Sequence, residues 1–312
     1  MEKSPGPEYR KTEVEQLSAL LEGRTSRLEQ LDGTSASLIV MDGATTVIAR
    51  NPNQRYFAAS VAKLDIAAAV LCSPLDPDQS VPIAGITSAE AGNGIFDSGS
   101  ERQAATVQEL YRDMLKRSGN VSSIALVRAL GGYQAVNTYS RETAGLRCTG
   151  LEPYQTGFHF GYTTPSDRAA MMRHLDVLGD DNKLPHPLEL LAQSVDTNGI
   201  RRHVSADTQM FIKHGALNNV DQDGSVRHDV GYMAAPTGKR ILVVAMSQTP
   251  SQQKYKTKAA DWWLGQIGAD IENYLYGRPY QTRQRVGATA MFAAARRSST
   301  QQPTDFLKDK LV

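Results

Sequence analysis

The sequence is poor in cysteine and has no long apolar run, and both absences exclude classes of protein. Its 312 residues contain two cysteines, Cys72 and Cys148, which are too few for a disulfide-rich scaffold or a four-thiolate zinc site. They could form one bridge, but we expect two free thiols. The longest strongly apolar stretch, Ile66–Cys72, is much shorter than the ~20 residues of a membrane-spanning helix. We therefore expect no membrane span.

An excess of one charge is also missing. The chain carries 34 Lys and Arg residues against 33 Asp and Glu residues, a net charge of +1, and so lacks the basic character of a nucleic-acid-binding protein. Its six histidines lack the spacing of metal ligands, and no phosphate-binding glycine motif is present. We expect no metal, no cofactor and no nucleic-acid partner. The expected partner is a small-molecule or peptidic substrate, bound by a monomer.

The two ends of the chain are polar. The segment Met1–Glu8 has no apolar core, unlike a secretory signal peptide. This predicts a cytoplasmic location for the sequence as written, or secretion if an export segment has been removed. Pro5 and Pro7 favour a flexible N-terminal lead over residues 1–12, and residues 279–312 are predicted to be an appended tail.

The order of elements predicts an α+β fold. A helix with apolar residues at helical spacing is predicted over Glu13–Leu31, and a β-hairpin follows it. The predicted strands are Ser35–Met41, Thr46–Ala49, Gln209–Ile212, Asp229–Met233 and Arg240–Met246. Because no helix separates consecutive strands at either end, antiparallel pairing is favoured. We expect an antiparallel sheet of about five strands, flanked by helices, built from residues 13–58 and 199–278. Residues 59–198 are predicted to form an inserted all-helical domain.

The strongest chemical motif is Ser60-Val-Ala-Lys63, which opens the apolar stretch Leu64–Cys72. A serine in the first turn of a buried helix lies in the positive field of the helix N-terminus. A lysine three residues later shares its helix face, so its amine can reach the hydroxyl. Burial favours the neutral amine, which a lysine acting as a base requires. The same spacing in Ser251-Gln-Gln-Lys254 lies in a polar context and indicates nothing.

Two later tripeptides complete a pattern. Ser118-Gly119-Asn120 separates two predicted helices, where a serine and an amide could face one cleft. Lys213-His214-Gly215 follows the apolar residues of a predicted strand, and a glycine there would let a substrate backbone approach the strand edge.

Together, in this order, the three motifs resemble the serine hydrolases that include class A β-lactamases and penicillin-binding proteins, with their S-x-x-K, S-x-N and K-T/S-G signatures. Thr163-Thr-Pro165 resembles the start of a helix in class A enzymes, and the resemblance spans about Ser35–Leu275. It implies a β-lactamase-like fold and cleavage of an amide or ester through a seryl acyl-enzyme.

The resemblance also implies a role for each matching residue. Ser60 would be the nucleophile, Lys63 its proton acceptor and Ser118 a proton relay to the leaving nitrogen. Asn120 would bind a substrate amide, and Lys213 a substrate carboxylate. The remaining candidate substrate-binding residues are His214, Gly215, Ala216 and Arg201. The backbone N–H groups of Ser60 and Ala216 would form an oxyanion hole.

The sequence departs from the family pattern at three places. Gly119 replaces the aspartate usual in class A enzymes, and His214 replaces a threonine or serine. The third concerns the glutamate that activates the deacylating water. Glu152 is a candidate for it, although it lies closer to Thr163 than class A enzymes place it, and His159 is a substitute.

Three functions therefore stay open. The first is a hydrolase that discharges its acyl-enzyme to water. The second is an acyltransferase or D,D-peptidase-like enzyme with slow hydrolysis. The third is a non-catalytic penicillin-binding sensor.

Overall fold

The computed structural model describes residues 7–31, 33–86, 94–97, 101–154, 157–178, 183–220, 224–249 and 254–280. The helices are α1 (Pro7–Glu29), α2 (Lys63–Leu71), α3 (Val107–Lys116), α4 (Asn120–Ala129), α5 (Tyr133–Glu142), α6 (Pro165–Val177), α7 (Pro187–Ala192) and α8 (Lys254–Leu275), with 3₁₀ turns at Ala59–Ala62 and Gly199–His203. The strands are β1 (Ser35–Asp42), β2 (Thr45–Arg50), β3 (Tyr56–Phe57), β4 (Ser80–Pro82), β5 (Ala104–Thr106), β6 (Gly150–Tyr154), β7 (Gly157–Thr163), β8 (Gln209–Val220), β9 (Gly224–Ala234) and β10 (Arg240–Thr249).

The main sheet has five strands in the order β2-β1-β10-β9-β8, and each neighbouring pair is antiparallel. Its strands come from both ends of the chain, as predicted, so the α+β prediction with a five-stranded antiparallel sheet is confirmed. β8 is an edge strand, and one side of it is therefore open to the segment that carries Ser60.

Helices cover both faces of this sheet, because side chains of successive strand residues point to opposite faces. On β10, Val243 belongs to the apolar core formed with α1 and α8, whereas Val244 belongs to the core formed with α2 and α6. β10 is consequently buried along most of its length. The second core continues into the helical part of the chain and fixes α2, on which Lys63 lies.

Two expectations about the division of the chain were wrong. Helix α1 begins at Pro7 rather than after a flexible lead through residue 12, since proline is favoured in the first turn of a helix. Residues 59–198 are not all-helical, because they contain the hairpin of β6 and β7 and the pairing of β4 with β5. The first half of the predicted lead, residues 1–6, and most of the predicted tail, residues 281–312, lie outside the described part of the chain.

The third difference concerns β8, which continues through Lys213 and His214 instead of ending before them. The two polar residues interrupt the apolar pattern that defined the predicted strand. They remain in the strand because both side chains find polar partners in the interior, as described below.

The expectation of two free thiols is confirmed, since Cys72 and Cys148 are both exposed and form no disulfide bond. In the described part of the chain no helix is long and apolar enough to cross a membrane.

Candidate active site

Ser60 lies in the 3₁₀ turn Ala59–Ala62, directly before α2. The residue before it, Ala59, has a φ angle of +45°, a left-handed conformation that costs energy for a residue with a side chain. The surrounding residues of the turn are buried, whereas Ser60 is partly exposed. The tight turn therefore presents the Ser60 hydroxyl at the surface of the core.

Lys63 follows as the first residue of α2 and is fully buried. Its Nζ atom donates to Ser60 Oγ at 3.1 Å and to Ser118 Oγ at 3.0 Å. The Ser118 carbonyl oxygen and Asn120 Oδ1 lie 2.6 and 2.7 Å from the same nitrogen. The Phe160 ring packs 4.9 Å from this amine. One buried amine thus connects the first and second motifs.

Ser118 links both lysines. Its Oγ accepts a hydrogen bond of 2.9 Å from Lys213 Nζ in addition to the bond from Lys63. The residue has a φ angle of +60°, which costs energy for a serine and is retained because the surrounding contacts determine the conformation. The structure therefore brings Ser60, Lys63, Ser118, Asn120 and Lys213 into one hydrogen-bonded cluster.

Asp97 fixes the position of Asn120 and was not identified from the sequence. Its carboxylate accepts hydrogen bonds from the backbone N–H groups of Asn120 and Val121, the first two residues of α4, at 3.1 and 2.8 Å. Helix α4 begins after Gly119, which has no side chain to cap it. Asp97 supplies the missing negative group at this helix N-terminus.

Asp113 explains the glycine in the second motif. A Cβ atom at Gly119 would lie 2.0 Å from Asp113 Oδ2, so this carboxylate occupies the space that a side chain at position 119 would need. It accepts hydrogen bonds from Ser122 Oγ at 2.6 Å and from the Ile95 N–H at 2.9 Å. A carboxylate therefore lies beside the second motif, but it belongs to Asp113 of α3 and not to residue 119.

A buried ion pair holds α2 against α6. Arg168 donates to both carboxylate oxygens of Asp65, at 2.6 and 2.8 Å, and to the Val61 carbonyl at 3.1 Å. The two charged side chains are 0% and 1% exposed. The pair therefore fixes the turn that carries Ser60. The sequence contains a signal for it, because both residues lie on apolar helix faces.

Gly215 allows β8 to approach the Ser60 turn. A Cβ atom there would lie 3.0 Å from Val61 Cγ1 and 3.4 Å from the Ser60 nitrogen, which is tighter than most contacts of real side chains. The glycine is needed for packing of the strand against the turn as well as for any approach of a substrate backbone. The next residue, Ala216, is exposed at the strand edge.

The two polar residues before Gly215 point to different partners. Lys213 is buried, and its Nζ also donates to the His214 carbonyl at 2.9 Å. Burial lowers the pKa of Lys213 to about 8. His214 pairs instead with Asp229 on β9, with 2.7 Å between Nδ1 and Oδ1.

Arg201 lies in the 3₁₀ turn Gly199–His203 and is half-buried. Its guanidinium donates to the carbonyl groups of Leu191 and Met210, each at 2.9 Å. Burial lowers its pKa, and the carboxylates of Asp229 and Asp196 oppose this shift. Arg201 therefore connects α7 to the start of β8 and adds positive charge near Lys213.

Glu152 is placed away from the cluster. It lies on β6, its side chain is 49% exposed, and its carboxylate is 3.7 Å from the Arg55 guanidinium. Glu152 pairs with residue 159 on the neighbouring strand β7. The next residue of β7 is Phe160, whose ring contacts Lys63. Strand alternation therefore turns Glu152 to the opposite face of the hairpin. The side chain of His159, the substitute candidate, lies outside the described residues.

The described residues contain no cluster of three or more His, Cys, Asp or Glu side chains with metal-binding geometry. The described residues of the cluster around Ser60 contribute alcohols, amines and an amide. These groups are suited to nucleophilic attack and proton transfer.

Comparison with known families and structures gives a consistent result. A family model described as a beta-lactamase enzyme family matches residues 19–275. No curated protein sequence matches the chain significantly.

Among solved structures, a class A beta-lactamase from Bacteroides cellulosilyticus is 17% identical, with a TM-score of 0.68 and coverage of 85% of this chain and 99% of the other. A beta-lactamase from Sphaerobacter thermophilus is 18% identical, with a TM-score of 0.65 and coverage of 83% and 98%. A mutant of PBP-A, solved as an acyl-enzyme complex with penicillin G, is 17% identical, with a TM-score of 0.68 and coverage of 84% and 97%.

Proposed function

The chain belongs to this beta-lactamase enzyme family, and we propose that it cleaves an amide or ester through an acyl-enzyme formed on Ser60. The supporting observation is the hydrogen-bonded cluster itself. The buried Lys63 amine lies 3.1 Å from Ser60 Oγ and 3.0 Å from Ser118 Oγ, as a shared proton carrier requires.

Acylation begins with Lys63 as a neutral amine. It accepts the Ser60 proton while Oγ attacks the substrate carbonyl carbon, so a new C–O bond forms and the carbonyl becomes an oxyanion. The backbone N–H groups of Ser60 and Ala216 are the proposed donors to this oxyanion. One such donor is typically worth ~10²–10³ in rate.

The tetrahedral intermediate then loses its leaving group. Ser118 Oγ donates its proton to the departing nitrogen or oxygen as that bond to the carbonyl carbon breaks, and the protonated Lys63 returns a proton to Ser118. The 2.9 Å bond from Lys213 to the same hydroxyl favours this direction of transfer, because a nearby cation makes the hydroxyl more acidic.

Substrate binding is proposed at two sides of the cluster. Asn120 would bind a substrate amide group, and its Oδ1 atom is already oriented by Lys63 at 2.7 Å. Lys213, with His214 and Arg201 beside it, would bind a substrate carboxylate. A carboxylated acyl compound such as a β-lactam, or a related peptide, meets both requirements.

A second candidate function rests on the carboxylates near the cluster. Asp65 is paired with Arg168, Asp97 accepts backbone N–H groups, Asp113 accepts from Ser122, and Asp229 binds His214. Glu152 is exposed and paired with Arg55. In the described part of the chain, each of these five carboxylates holds a partner other than Ser60 and Lys63, and Glu152 lies on the opposite face of its hairpin from Phe160. This favours a long-lived acyl-enzyme that passes its acyl group to an amine.

Two assays on the same protein test these proposals. Gel labelling with a fluorescent penicillin detects acylation, and nitrocefin turnover detects hydrolysis. Labelling with turnover supports the hydrolase, whereas persistent labelling without turnover supports a slowly discharging enzyme or a sensor. Release of the label on addition of an amine, such as glycine or a D-amino acid, identifies an acyltransferase.

The variants needed are Ser60→Ala and Ser251→Ala. The second serine has the same spacing from a lysine but stands in a polar sequence context, and it is therefore a matched control. Labelling lost in Ser60→Ala and retained in Ser251→Ala supports the nucleophile. Equal labelling of wild type and Ser60→Ala would reject it.

A further inference from the structure

His214 and Asp229 form a buried pair beside the proposed carboxylate site. The His214 side chain is 10% exposed and that of Asp229 is 1% exposed. Asp229 Oδ2 accepts a 2.6 Å hydrogen bond from the Ile200 N–H, and a Cβ atom at Gly199 would lie 2.0 Å from the same oxygen. The carboxylate is therefore fixed in place and can hold the imidazole in one orientation.

This contact determines what the other ring nitrogen of His214 can do. Since Asp229 accepts at Nδ1, the neutral imidazole carries its proton on Nδ1, and Nε2 is then an acceptor. Only the protonated imidazole carries a proton on Nε2 as well. A threonine or serine hydroxyl can always donate to a carboxylate, whereas His214 can donate only when it is charged.

The charge around the site depends on the same proton. The titratable groups that interact with His214 are Lys213 on its own strand, Asp229 and His228 on β9, and Asp196 in the loop before the 3₁₀ turn. Arg201 in that turn interacts in the same way with Lys213, Asp229 and Asp196. With His228 and His214 neutral, two cations balance two carboxylates. With His214 protonated, the group carries a net charge of +1, which matches one substrate carboxylate.

The geometry points to a proton-dependent carboxylate site, in which Asp229 positions His214 and the protonated imidazole selects substrates that carry a carboxylate. This inference rests on the proposed function, and it concerns the substrate class and its dependence on pH. A neutral ester of the same substrate gains nothing from the imidazolium.

The ionisation of the groups agrees with this assignment. Burial would lower the pKa of His214, but the adjacent Asp229 carboxylate outweighs burial, and the net shift is upward. Burial lowers the pKa of Lys213 to about 8. The site therefore loses positive charge as the pH rises.

Binding to the Ser60→Ala variant tests the inference without requiring chemistry. The probes are benzylpenicillin and its neutral methyl ester, and the readout is the NMR titration of the His214 ring with and without each probe. By linkage, a ligand that prefers the imidazolium must raise the pKa of His214. We expect benzylpenicillin to raise this pKa and the ester to leave it unchanged. A His214 pKa that benzylpenicillin does not move overturns the inference.

Two further variants make the test specific. In a Ser60→Ala background, the affinity of His214→Thr for benzylpenicillin should not change in the pH range in which His214 titrates. It should fall only near pH 8, where Lys213 loses its proton. The parent should lose about tenfold in affinity as His214 deprotonates, as expected for one charge-assisted hydrogen bond. The same pH profile in both would contradict the role of His214.

Asp229→Asn should lower the pKa of His214 and move the affinity loss to lower pH. Because Asp229 is buried, the His214 titration in the Ser60→Ala parent and the affinity profile of its His214→Thr variant carry the test if Asp229→Asn does not fold. Labelling of wild type by fluorescent penicillin decides the proposed function separately, so a failure of either proposal can be recognised.

Discussion

Lys63 Nζ lies 3.1 Å from Ser60 Oγ while its own side chain is fully buried. The two residues are three positions apart, on the turn that enters α2. Lys63 cannot leave this position without losing its bonds to Ser118 and Asn120. A base held this firmly next to a partly exposed hydroxyl is organised for proton transfer before a substrate arrives.

Removal of this amine should abolish most of the acylation rate. Lys63→Ala is expected to slow labelling by fluorescent penicillin by at least ~10²-fold, because the variant loses the proton acceptor of Ser60. Time courses of labelling measure the effect. Lys254→Ala is the control, since Lys254 has the same spacing from Ser251. Equal rates in the two variants would contradict the assignment of Lys63.

The Asp65–Arg168 pair should be important for stability. Asp65→Ala leaves the fully buried Arg168 guanidinium without its carboxylate, and loss of one partner of a buried pair costs about 3–5 kcal/mol. Chemical denaturation measures the free energy of unfolding. Glu142→Gln, which breaks the exposed Arg141–Glu142 pair, should change it by less than ~1 kcal/mol. Similar effects of both substitutions would show that the buried pair does not stabilise the fold.

His228 should make the protein sensitive to acid. Burial lowers its pKa to about 4, below the ~6.5 of an exposed histidine. Between these values the unfolded chain binds a proton that the folded protein does not, so stability falls as the pH falls from about 6.5 to 4. The expected loss by pH 4 is about 3 kcal/mol.

Unfolding experiments on wild type and His228→Gln isolate this contribution, because titrating carboxylates affect both proteins alike. The variant also loses the hydrogen bond from His228 Nε2 to the Phe57 carbonyl, so its stability at neutral pH should be lower. Its decline from pH 6.5 to 4 should be shallower. Parallel curves would mean that His228 titrates normally in the folded state.

Glu152 should have little effect on discharge of the acyl-enzyme. Its carboxylate is exposed and pairs with Arg55, so Glu152→Gln is expected to change the decay of the labelled protein by less than about twofold, like other surface substitutions. Arg55→Gln is the matched control for loss of the ion pair. A tenfold slower decay in Glu152→Gln alone would identify Glu152 as the deacylating base after all.

Much of the fold and the members of the cluster could be predicted from the sequence. Short continuous apolar runs defined β1 and β10, and the resemblance of the three motifs to the S-x-x-K, S-x-N and K-T/S-G signatures implied that Ser60, Ser118 and Lys213 share one site. Both predictions depend on local sequence pattern and on the order of the motifs along the chain. The chemical roles of these residues stay predictions.

The supporting carboxylates could not be predicted in the same way. Asp97, Asp113 and Asp229 act through residues distant in sequence, and only the folded chain shows which backbone or side chain each one meets. Asp113 does leave a trace, since it lies among the buried residues of α3. The hairpin that turns Glu152 outward depends on pairing of β6 with β7, which a short polar segment does not specify.

The location of the covalent adduct tests the central proposal most directly. Wild type and Ser60→Ala should be incubated with benzylpenicillin, a cephalosporin and a D-alanyl thioester, then digested and mapped by mass spectrometry. We predict an acyl adduct on the peptide that contains Ser60, and no adduct at that position in the variant. An adduct on another residue, or none on Ser60 with any of the three acyl donors, would contradict the proposal.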